Sequence, residues 1–391
     1  MEIIRLLKRA IAREMFRCLT TTVTVPGIAD LRPLRQSKNI TLTAAARHFG
    51  VWPTYTDDSV WEPLTPPTVP AGASGGVPDP ALDTPAYALA ELLTAITRRQ
   101  HEHRRRTADR LTAVLDTGLL PAELTEMAPY YRAKAYKDLS QNDAARAGMQ
   151  QVSETGGRLA LKARRGLTNL ARLAGDFPAA LAAVPALGWK GRHHRVLGDI
   201  HWSHADTAQA VAAFEAGRAE AEQHSAVGER AMTQVRLALA LSFADPARAG
   251  DELALAHQLL NGLDQRSNTL LAQVVALIKD AGTDDVTARA QGLHADIEAA
   301  GLPFLHRFVE LALAFHHAVR DEDQDLAATI GRLRGLTVTG DFAYFTDIAH
   351  FMAALPLTNP SPAQWLDGPV LTRERWRTLV TARRRALGAQ D

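Results

Sequence analysis

Residues 195–217 read RVLGDIHWSHADTAQAVAAFEAG, and this stretch decides the fold. Leu197, His201 and Ala205 recur at helical spacing, and Asp206 marks a turn after which a second apolar face begins. The stretch therefore predicts two short helices that pack back to back.

The small residues of this stretch indicate how the helices could pack. Gly198 and Ala210 would allow two helices to approach closely, and Phe214 would fill the gap between neighbouring pairs. Ala145 and Ala180 take the place of Ala210 in two earlier units, at intervals of 35 and 30 residues. This spacing resembles that of the tetratricopeptide repeat, a helix–turn–helix unit of about 34 residues. The resemblance implies an all-α fold in which the repeats form a tetratricopeptide-like α-solenoid.

The helical pattern continues towards the C-terminus. Further helix pairs are predicted over 229–244 with 251–263, 268–281 with 286–300, and 302–320 with 325–336, followed by a helix over 342–355. A closing helix is predicted over 372–387, with Trp376 and Val380 facing inward and Arg373, Arg377 and Arg384 facing outward.

Four segments from residue 122 onward are similar to the tetratricopeptide-type tails of large actinobacterial ATP/GTP-binding proteins. They are MAPYYRAKAYKDL (127–139), HRVLGDIHWS (194–203), VELALAFHHAVR (309–320) and DIAHFMAALP (347–356). In such proteins a P-loop NTPase module lies upstream of the tail. The sequence contains no G-x-x-x-x-G-K-[ST] motif, so we expect a tail that binds no nucleotide.

Composition excludes several classes of protein. Hydrophobic residues make up 46% of the chain and charged residues 22%, which is ordinary for a globular protein. The single cysteine, Cys18, excludes an internal disulfide framework and favours the cytoplasm. We expect no membrane span, because no apolar run reaches about 18 residues. Charges throughout residues 1–20 exclude a secretory signal.

The N-terminal region differs in charge from the rest. Residues 1–50 hold nine Lys/Arg against three Asp/Glu, whereas residues 51–391 hold 35 against 40. Residues 2–19 predict an amphipathic helix with a basic face. A solvated face explains this pattern without any partner, and a surface that contacts nucleic acid is the alternative.

Residues 31–55, LRPLRQSKNITLTAAARHFGVWPTY, resemble the helix-turn-helix of the phage-repressor (Cro/C1) type. In this resemblance Leu31 and Arg35 lie on the first helix, Thr41 caps the second, and Gly50–Val51 turns into the recognition helix. If this segment binds DNA, the candidate contact residues are Arg35, Lys38, Thr41, Arg47 and Thr54.

The sequence departs from this family after the turn. Thr56, Asp57 and Val60 stand where the family has Ile, Ser and Glu, and Asp57 and Asp58 would face the DNA backbone. Pro63 would end the helix, so we expect a truncated recognition helix and weak, salt-dependent DNA binding. The basic helix and this motif are also similar to the C-terminal tail of some actinobacterial insertion-element transposases. We expect no transposase catalytic domain before Met1, and therefore no catalysis of transposition.

A change in composition separates this region from the repeats. Residues 62–85 hold seven prolines and three glycines, which predicts a disordered linker. The predicted organisation is therefore a basic helix with a helix-turn-helix-like segment over 1–58, a linker over 59–85 and a helical repeat domain over 86–391.

The sequence contains few residue patterns that indicate metal binding or catalysis. His193, His194, His201 and His204 lie within 12 residues, but a zinc site would need Cys or carboxylate partners, and none is convincingly placed. The H-E-x-x-H, G-x-S-x-G, C-x-x-C and G-x-G-x-x-G motifs do not occur. We therefore expect no metal, no cofactor and no enzymatic activity.

The repeats themselves suggest a binding surface. In tetratricopeptide pairs, fixed positions of the first helix line a concave groove, and here most of them are basic while only Asp199 is acidic. The predicted groove residues are Tyr130, Lys134, Lys137, Lys162, Arg165, Asn169, Arg172, Arg192, Arg195, Asp199 and Trp202. Such a groove would attract an acidic peptide, with Tyr130 and Trp202 as apolar anchors.

The favoured interpretation is a non-catalytic scaffold that binds another protein on the concave face of its repeats. One alternative is a DNA-binding regulator whose repeats sense a peptide or form dimers. A second alternative is the detached regulatory tail of a P-loop NTPase.

Overall fold

The computed structural model describes residues 51–54, 60–63, 85–99, 103–120, 124–263, 265–338, 340–353, 355–357 and 359–388. The predicted basic helix over 2–19 and the first two helices of the helix-turn-helix resemblance lie outside the described residues. So do four of the candidate DNA contacts, Arg35, Lys38, Thr41 and Arg47.

Strand β1 (Val51–Thr54) pairs with β2 (Val60–Pro63) as an antiparallel hairpin, with Val51 opposite Pro63 and Thr54 opposite Val60. The prediction that a recognition helix follows Gly50–Val51 is therefore wrong, and the candidate DNA contact Thr54 lies in a strand. The linker prediction is also wrong for the four residues of β2. Valine, tryptophan and threonine, which make up five of the eight strand residues, favour extended backbone over helix.

All other regular structure in the described residues is helical, so the predicted all-α fold class is confirmed. The chain divides into one unit up to Ala135 and a second from Tyr136. The first unit holds α1 (Pro85–Arg98), α2 (Arg104–Asp116) and most of α3 (Met127–Asp138). Leucines and alanines on one face of α1 are buried, as are Leu111 and Val114 of α2.

The second unit begins with α4 (Asn142–Glu154) and continues as helices packed in consecutive pairs. The first helices of the pairs are α5 (Ala160–Leu173), α8 (His193–Ser203), α10 (Val227–Ala244), α12 (Arg266–Lys279) and α14 (His306–Arg320). Their second helices are α6 (Phe177–Ala183), α9 (Thr207–Gln223), α11 (Pro246–Leu260), α13 (Val286–Ala300) and α15 (Asp323–Leu336). The short α7 (Gly188–Gly191) precedes α8, and α16 (Tyr344–Met352) and α17 (Gly368–Ala386) complete the unit.

The small residues pack as the sequence predicts. Ala145, Ala180 and Ala210 are fully buried. A Cβ atom added to Gly198 would lie 2.5 Å from the Phe214 ring, so α8 and α9 depend on glycine for their close approach. The close packing predicted for residues 195–217 is confirmed.

Three of the five turns between paired helices contain the same N-terminal cap. Asp176, Asp206 and Asp245 each precede a second helix and accept a hydrogen bond from the backbone N–H three residues on, at 3.1, 3.2 and 3.0 Å. An aspartate N-cap satisfies a backbone donor that the helix leaves without a partner. The repetition shows that successive pairs begin their second helix in the same way.

Helix α16 is buried along its whole length, where it lies against α14, α15 and α17. Its side chains also reach the earlier repeats. The Tyr344 hydroxyl accepts a hydrogen bond from Arg172 of α5, and the Phe345 ring lies 5.8 Å from that of Trp202 of α8. This helix therefore covers part of the face that the first helices would otherwise present as a groove.

The closing helix α17 has the predicted inward face, because Trp376 is fully buried and Val380 is nearly so. The outward assignment of Arg384 is wrong, since its guanidinium donates to the carbonyl of Ala318 and to Asp321. Within the described residues, no helix combines the length and the apolarity needed to cross a membrane.

Candidate functional site

The predicted groove residues fall into three groups according to their place along the helices. Tyr130 and Lys134 belong to the first unit, where Tyr130 is buried and its ring packs edge-on against Tyr131. Lys137, in the second unit, lies over the Phe304 ring and pairs with Asp138. Buried Tyr130 is not a free anchor for a peptide, because its own unit already encloses it.

The second group lies at the C-terminal ends of α5 and α8 and is enclosed by α16. Arg172, Asp199 and Trp202 are 5%, 3% and 4% exposed. The prediction that they line an open groove is therefore wrong. The sequence pattern of α8 could not reveal the cause, which is a helix about 140 residues further along the chain.

This enclosed group includes a polar cluster around Tyr344. Arg236 of α10 lies 3.6 Å from Asp199, and Arg172 donates to the Tyr344 hydroxyl at 3.0 Å. Burial raises the pKa of Tyr344, which the charge of Arg172 opposes. Burial lowers the pKa of Arg236, which the charge of Asp199 opposes and that of Arg172 reinforces. The Nε atoms of both arginines and the Trp202 Nε1 are buried without a hydrogen-bond partner among the described residues.

The third group lies at the N-terminal ends of α5 and α8 and reaches the surface. We call Lys162, Arg165, Arg192 and Arg195 the basic edge. The first three are half-buried, as is the neighbouring Asn169 of α5, and Arg195 is buried at 8% exposure.

One carboxylate, Glu229 in the first turn of α10, lies among the arginines of the basic edge. Arg195 Nε donates to its Oε1 at 2.6 Å, and Arg192 Nε lies 3.2 Å from its Oε2. Arg165 acts on the same carboxylate through its charge. Three guanidinium groups thus share this carboxylate, and Glu220 acts on Arg192 through its charge as well.

The ionisation of these groups shows how closely they interact. Burial would raise the pKa of Glu229, but the nearby Arg195, Arg165 and Arg192 outweigh burial and lower it. Burial lowers the pKa of Arg192, and the charges of Arg165 and Arg195 lower it further. Glu229 is therefore ionised at neutral pH, and the arginines repel one another.

The C-terminal ends of the same first helices meet residues 359–387, which we call the C-terminal strap. Its backbone N–H groups reach the early turns: Gln364 donates to Gly175 O at 2.9 Å and Leu366 donates to His204 Nε2 at 3.1 Å. The segment before α17 is therefore tied to two successive repeats.

Side chains of α17 donate similar hydrogen bonds to α8 and to the later repeats. Trp376 Nε1 donates to Ser203 O of α8 at 3.3 Å. Arg383 donates to Ser242 O of α10 at 2.6 Å and to Lys279 O of α12 at 2.8 Å. With Arg384 on Ala318 O of α14, the strap supplies donors to the last carbonyls of four first helices.

A polar cleft of about 480 Å³ lies between α13, α14 and α15. Its charged lining is paired internally: Glu310 accepts from His294 and Arg332, and Arg320 binds Asp284 and Glu322. His294 in turn contacts His306 at 2.7 Å between their Nδ1 atoms. The lining holds four carboxylates and two arginines, so its formal charge is opposite in sign to that of the basic edge.

Of the four histidines considered for zinc, two take part in packing. His204 is buried, with Nδ1 on Ile200 O at 2.9 Å and Nε2 accepting from Leu366, and burial lowers its pKa to about 4. His201 is half-buried beside Asp206, and burial lowers its pKa too. Neither lies in a cluster of potential metal ligands among the described residues.

The other two, His193 and His194, lie together with Glu220 of α9. The sequence alone could not identify Glu220 as their partner, because the pairing of α8 with α9, and not local spacing, brings Glu220 close to the two histidines. A second cluster joins His316, His317 and Glu322 at the turns around α14. There, Gly282 N–H donates to His316 Nδ1 at 3.0 Å, and His317 Nδ1 lies 2.7 Å from Glu322 Oε2.

The basic edge is therefore the part of the predicted groove that reaches the surface and gathers three arginines around Glu229. The sequence matches no protein-family model, no curated protein and no solved structure.

Proposed function

We propose that this chain is a non-catalytic protein-interaction scaffold of the cytoplasm, and that its basic edge binds an acidic segment of a protein partner. The observation that carries the proposal is the sharing of one carboxylate, Glu229, among Arg165, Arg192 and Arg195. A group of like charges costs stability unless a counter-charge joins it. An acidic segment supplies that counter-charge.

Helix geometry supports the same ligand class. Arg192 is the N-cap of α8 and Arg195 lies in its first turn, where the helix already has its partial positive charge. Backbone N–H groups at a helix N-terminus and guanidinium groups both bind carboxylates well. The two features together favour an anionic partner over a cationic or apolar one.

The proposed binding surface contains fewer residues than the groove predicted from the sequence. Tyr130 and Trp202 are buried and contribute no anchor, and Arg172 and Asp199 are enclosed by α16. Recognition then rests on charge at Lys162, Arg165, Arg192 and Arg195, so the affinity should fall steeply with added salt.

Adjacent arginines of α5 provide a matched test. Arg165 belongs to the basic edge, whereas Arg164 is exposed on another face of the helix. We expect a fluorescein-labelled peptide of ten residues rich in glutamate to bind the unmodified chain at low salt. Arg165→Glu should weaken binding about 10-fold or more, while Arg164→Glu changes it by less than about 2-fold.

Fluorescence anisotropy gives the dissociation constants, and circular dichroism verifies that both variants are folded. Equal weakening by the two substitutions would show that only the net charge matters. Absence of binding to the unmodified chain at low salt would also contradict the proposal.

A further inference from the structure

We propose that His193, His194 and Glu220 form a binding site for a divalent transition-metal ion, with Zn²⁺ as the best-suited ion. One potential ligand atom from each residue lies within 4.8 Å of the other two. This proposal does not depend on the acidic partner, because it concerns different side chains and a different ligand.

Two helix ends bring the three side chains together. His193 and His194 are the first two residues of α8, and their ring centroids lie 3.9 Å apart. Glu220 lies in the last turn of α9, the partner helix of α8. A Cβ atom added to Gly217, one turn earlier in α9, would lie 3.2 Å from His194 Cβ, so the two helices are in close contact here.

The spacing of ligand atoms fits a bound ion better than a hydrogen bond. His193 Nδ1 lies 3.8 Å from Glu220 Oε2, which is beyond hydrogen-bond distance. Zinc binds imidazole nitrogen and carboxylate oxygen at roughly 2.1 Å, so two ligands of a tetrahedral ion are about 3.4 Å apart. A small movement of either side chain would allow both to bind one ion.

An unsatisfied ring nitrogen points to the same site. His193 Nδ1 is inaccessible to solvent and has no hydrogen-bond partner among the described residues. A buried polar atom of this kind is costly unless a partner binds it.

The ligand set selects the class of ion. Two imidazoles and one carboxylate suit Zn²⁺ and its neighbours in the first transition series, whereas Ca²⁺ and Mg²⁺ prefer oxygen ligands. His193 and Glu220 are each about one-quarter exposed, at 24% and 22% of the side chain, so solvent can reach the site and supply a fourth ligand. The ion would join the start of α8 to the end of α9.

The second histidine cluster serves as a control within the same chain. His316 Nδ1 accepts the Gly282 N–H, and burial lowers the pKa of His316 to about 4. The neutral ring therefore carries its proton on Nε2 and has no free lone pair. His317 Nδ1 already lies within hydrogen-bond distance of Glu322, the carboxylate of this cluster. We expect no metal binding there.

Titration of the metal-free full chain with Co²⁺ tests the site, because tetrahedral Co²⁺ absorbs visible light. We expect a saturable absorption that Zn²⁺ abolishes by displacement. Glu220→Gln and His193→Asn should each weaken binding about 10-fold or more. His317→Asn and His224→Asn, the latter one turn beyond Glu220, should leave the titration unchanged.

Circular dichroism of each variant establishes that it is folded, and the conservative Glu220→Gln keeps the size of the side chain. The proposal would be overturned by an absence of saturable binding to the unmodified chain. Binding that survives in folded Glu220→Gln and His193→Asn, or that disappears in His317→Asn, would also overturn it.

Discussion

The two ends of the first helices are built in opposite ways in different repeats. At the C-terminal ends of α10, α12 and α14, Arg383 and Arg384 of the strap donate to backbone carbonyls, where positive charge complements the negative end of the helix dipole. At the N-terminal ends of the earlier helices α5 and α8, Lys162, Arg192 and Arg195 place positive charge at the positive end of the dipole. The arrangement at the C-terminal ends stabilises the fold, whereas the arrangement at the N-terminal ends destabilises it.

This difference distinguishes a structural surface from a candidate binding surface. Arg383 and Arg384 of the strap each have a backbone acceptor within the chain. The arginines of the basic edge share Glu229 and repel one another. Proteins depart from the local arrangements that favour stability mainly at functional sites. The basic edge is therefore the better candidate for a binding surface.

The largest effect is expected from Trp376→Ala in the strap. The indole is fully buried against Trp202 and Phe243, and its Nε1 donates to Ser203 O. Truncation should lower the free energy of unfolding by about 3–5 kcal/mol, because it removes packing and leaves a cavity. Urea denaturation measures this, and exposed Arg377→Ala on the same helix is the control. A loss below about 1 kcal/mol would contradict the structural role of the strap.

A smaller loss is expected from Arg383→Met. The methionine retains most of the apolar stem but leaves the carbonyls of Ser242 and Lys279 without their charged donor. We expect the free energy of unfolding to fall by about 2–3 kcal/mol. Arg377→Met should change it by less than about 0.5 kcal/mol in the same denaturation experiment. Equal changes in the free energy of unfolding for Arg383→Met and Arg377→Met would show that Arg383 does not cap the helix ends.

The attachment of the strap to His204 should depend on pH. Burial lowers the pKa of His204 from 6.5 to about 4, so the unfolded chain binds more protons than the folded chain between these values. Stability is fully present above the unfolded pKa and falls as the pH drops below it. Between about pH 7 and pH 5 the loss from His204 should be about 2 kcal/mol.

His204→Gln removes this titration while keeping a polar side chain at the position. Its free energy of unfolding should be lower than that of the unmodified chain at pH 7, and the gap should narrow as the pH falls. His316 contributes in the same direction, since its pKa is also about 4, so part of the pH dependence remains in the variant. A gap that stays constant from pH 7 to pH 5 would refute the role of His204.

The smallest effect on stability is expected at the basic edge. Arg165→Gln removes a positive charge that acts unfavourably on Arg192. The free energy of unfolding should therefore stay the same or rise, by no more than about 0.5 kcal/mol. Thermal or urea unfolding measures the change at low salt, with Arg164→Gln as the matched control. A loss above about 1 kcal/mol would mean that Arg165 stabilises the fold.

The sequence predicts the local parts of this fold well. Helical periodicity places the paired helices, and the burial of Ala145, Ala180 and Ala210 follows from their spacing. Contacts between residues that are distant in sequence were not predicted. Helix α16 encloses Trp202, and Glu220 lies near His193, because helices that are distant in sequence pack together in three dimensions.

Two other errors have simple physical causes. The hairpin of β1 and β2 lies where a family resemblance implied a recognition helix, although its valines and tryptophans favour extended backbone. Arg384 was assigned to solvent because helical periodicity separates apolar from charged side chains. It cannot show that a charged side chain caps the end of another helix.

A direct test of the central claim measures stability and peptide affinity for Arg383→Met and Arg165→Gln together. Because one residue belongs to the strap and the other to the basic edge, we expect two separate effects. Arg383→Met should lower the free energy of unfolding by about 2–3 kcal/mol and change the affinity for the glutamate-rich peptide by less than about 2-fold. Arg165→Gln should lower that affinity about 5-fold without loss of stability. If both substitutions lower the free energy of unfolding, or both lower the peptide affinity, the division between a structural strap and a binding basic edge is contradicted.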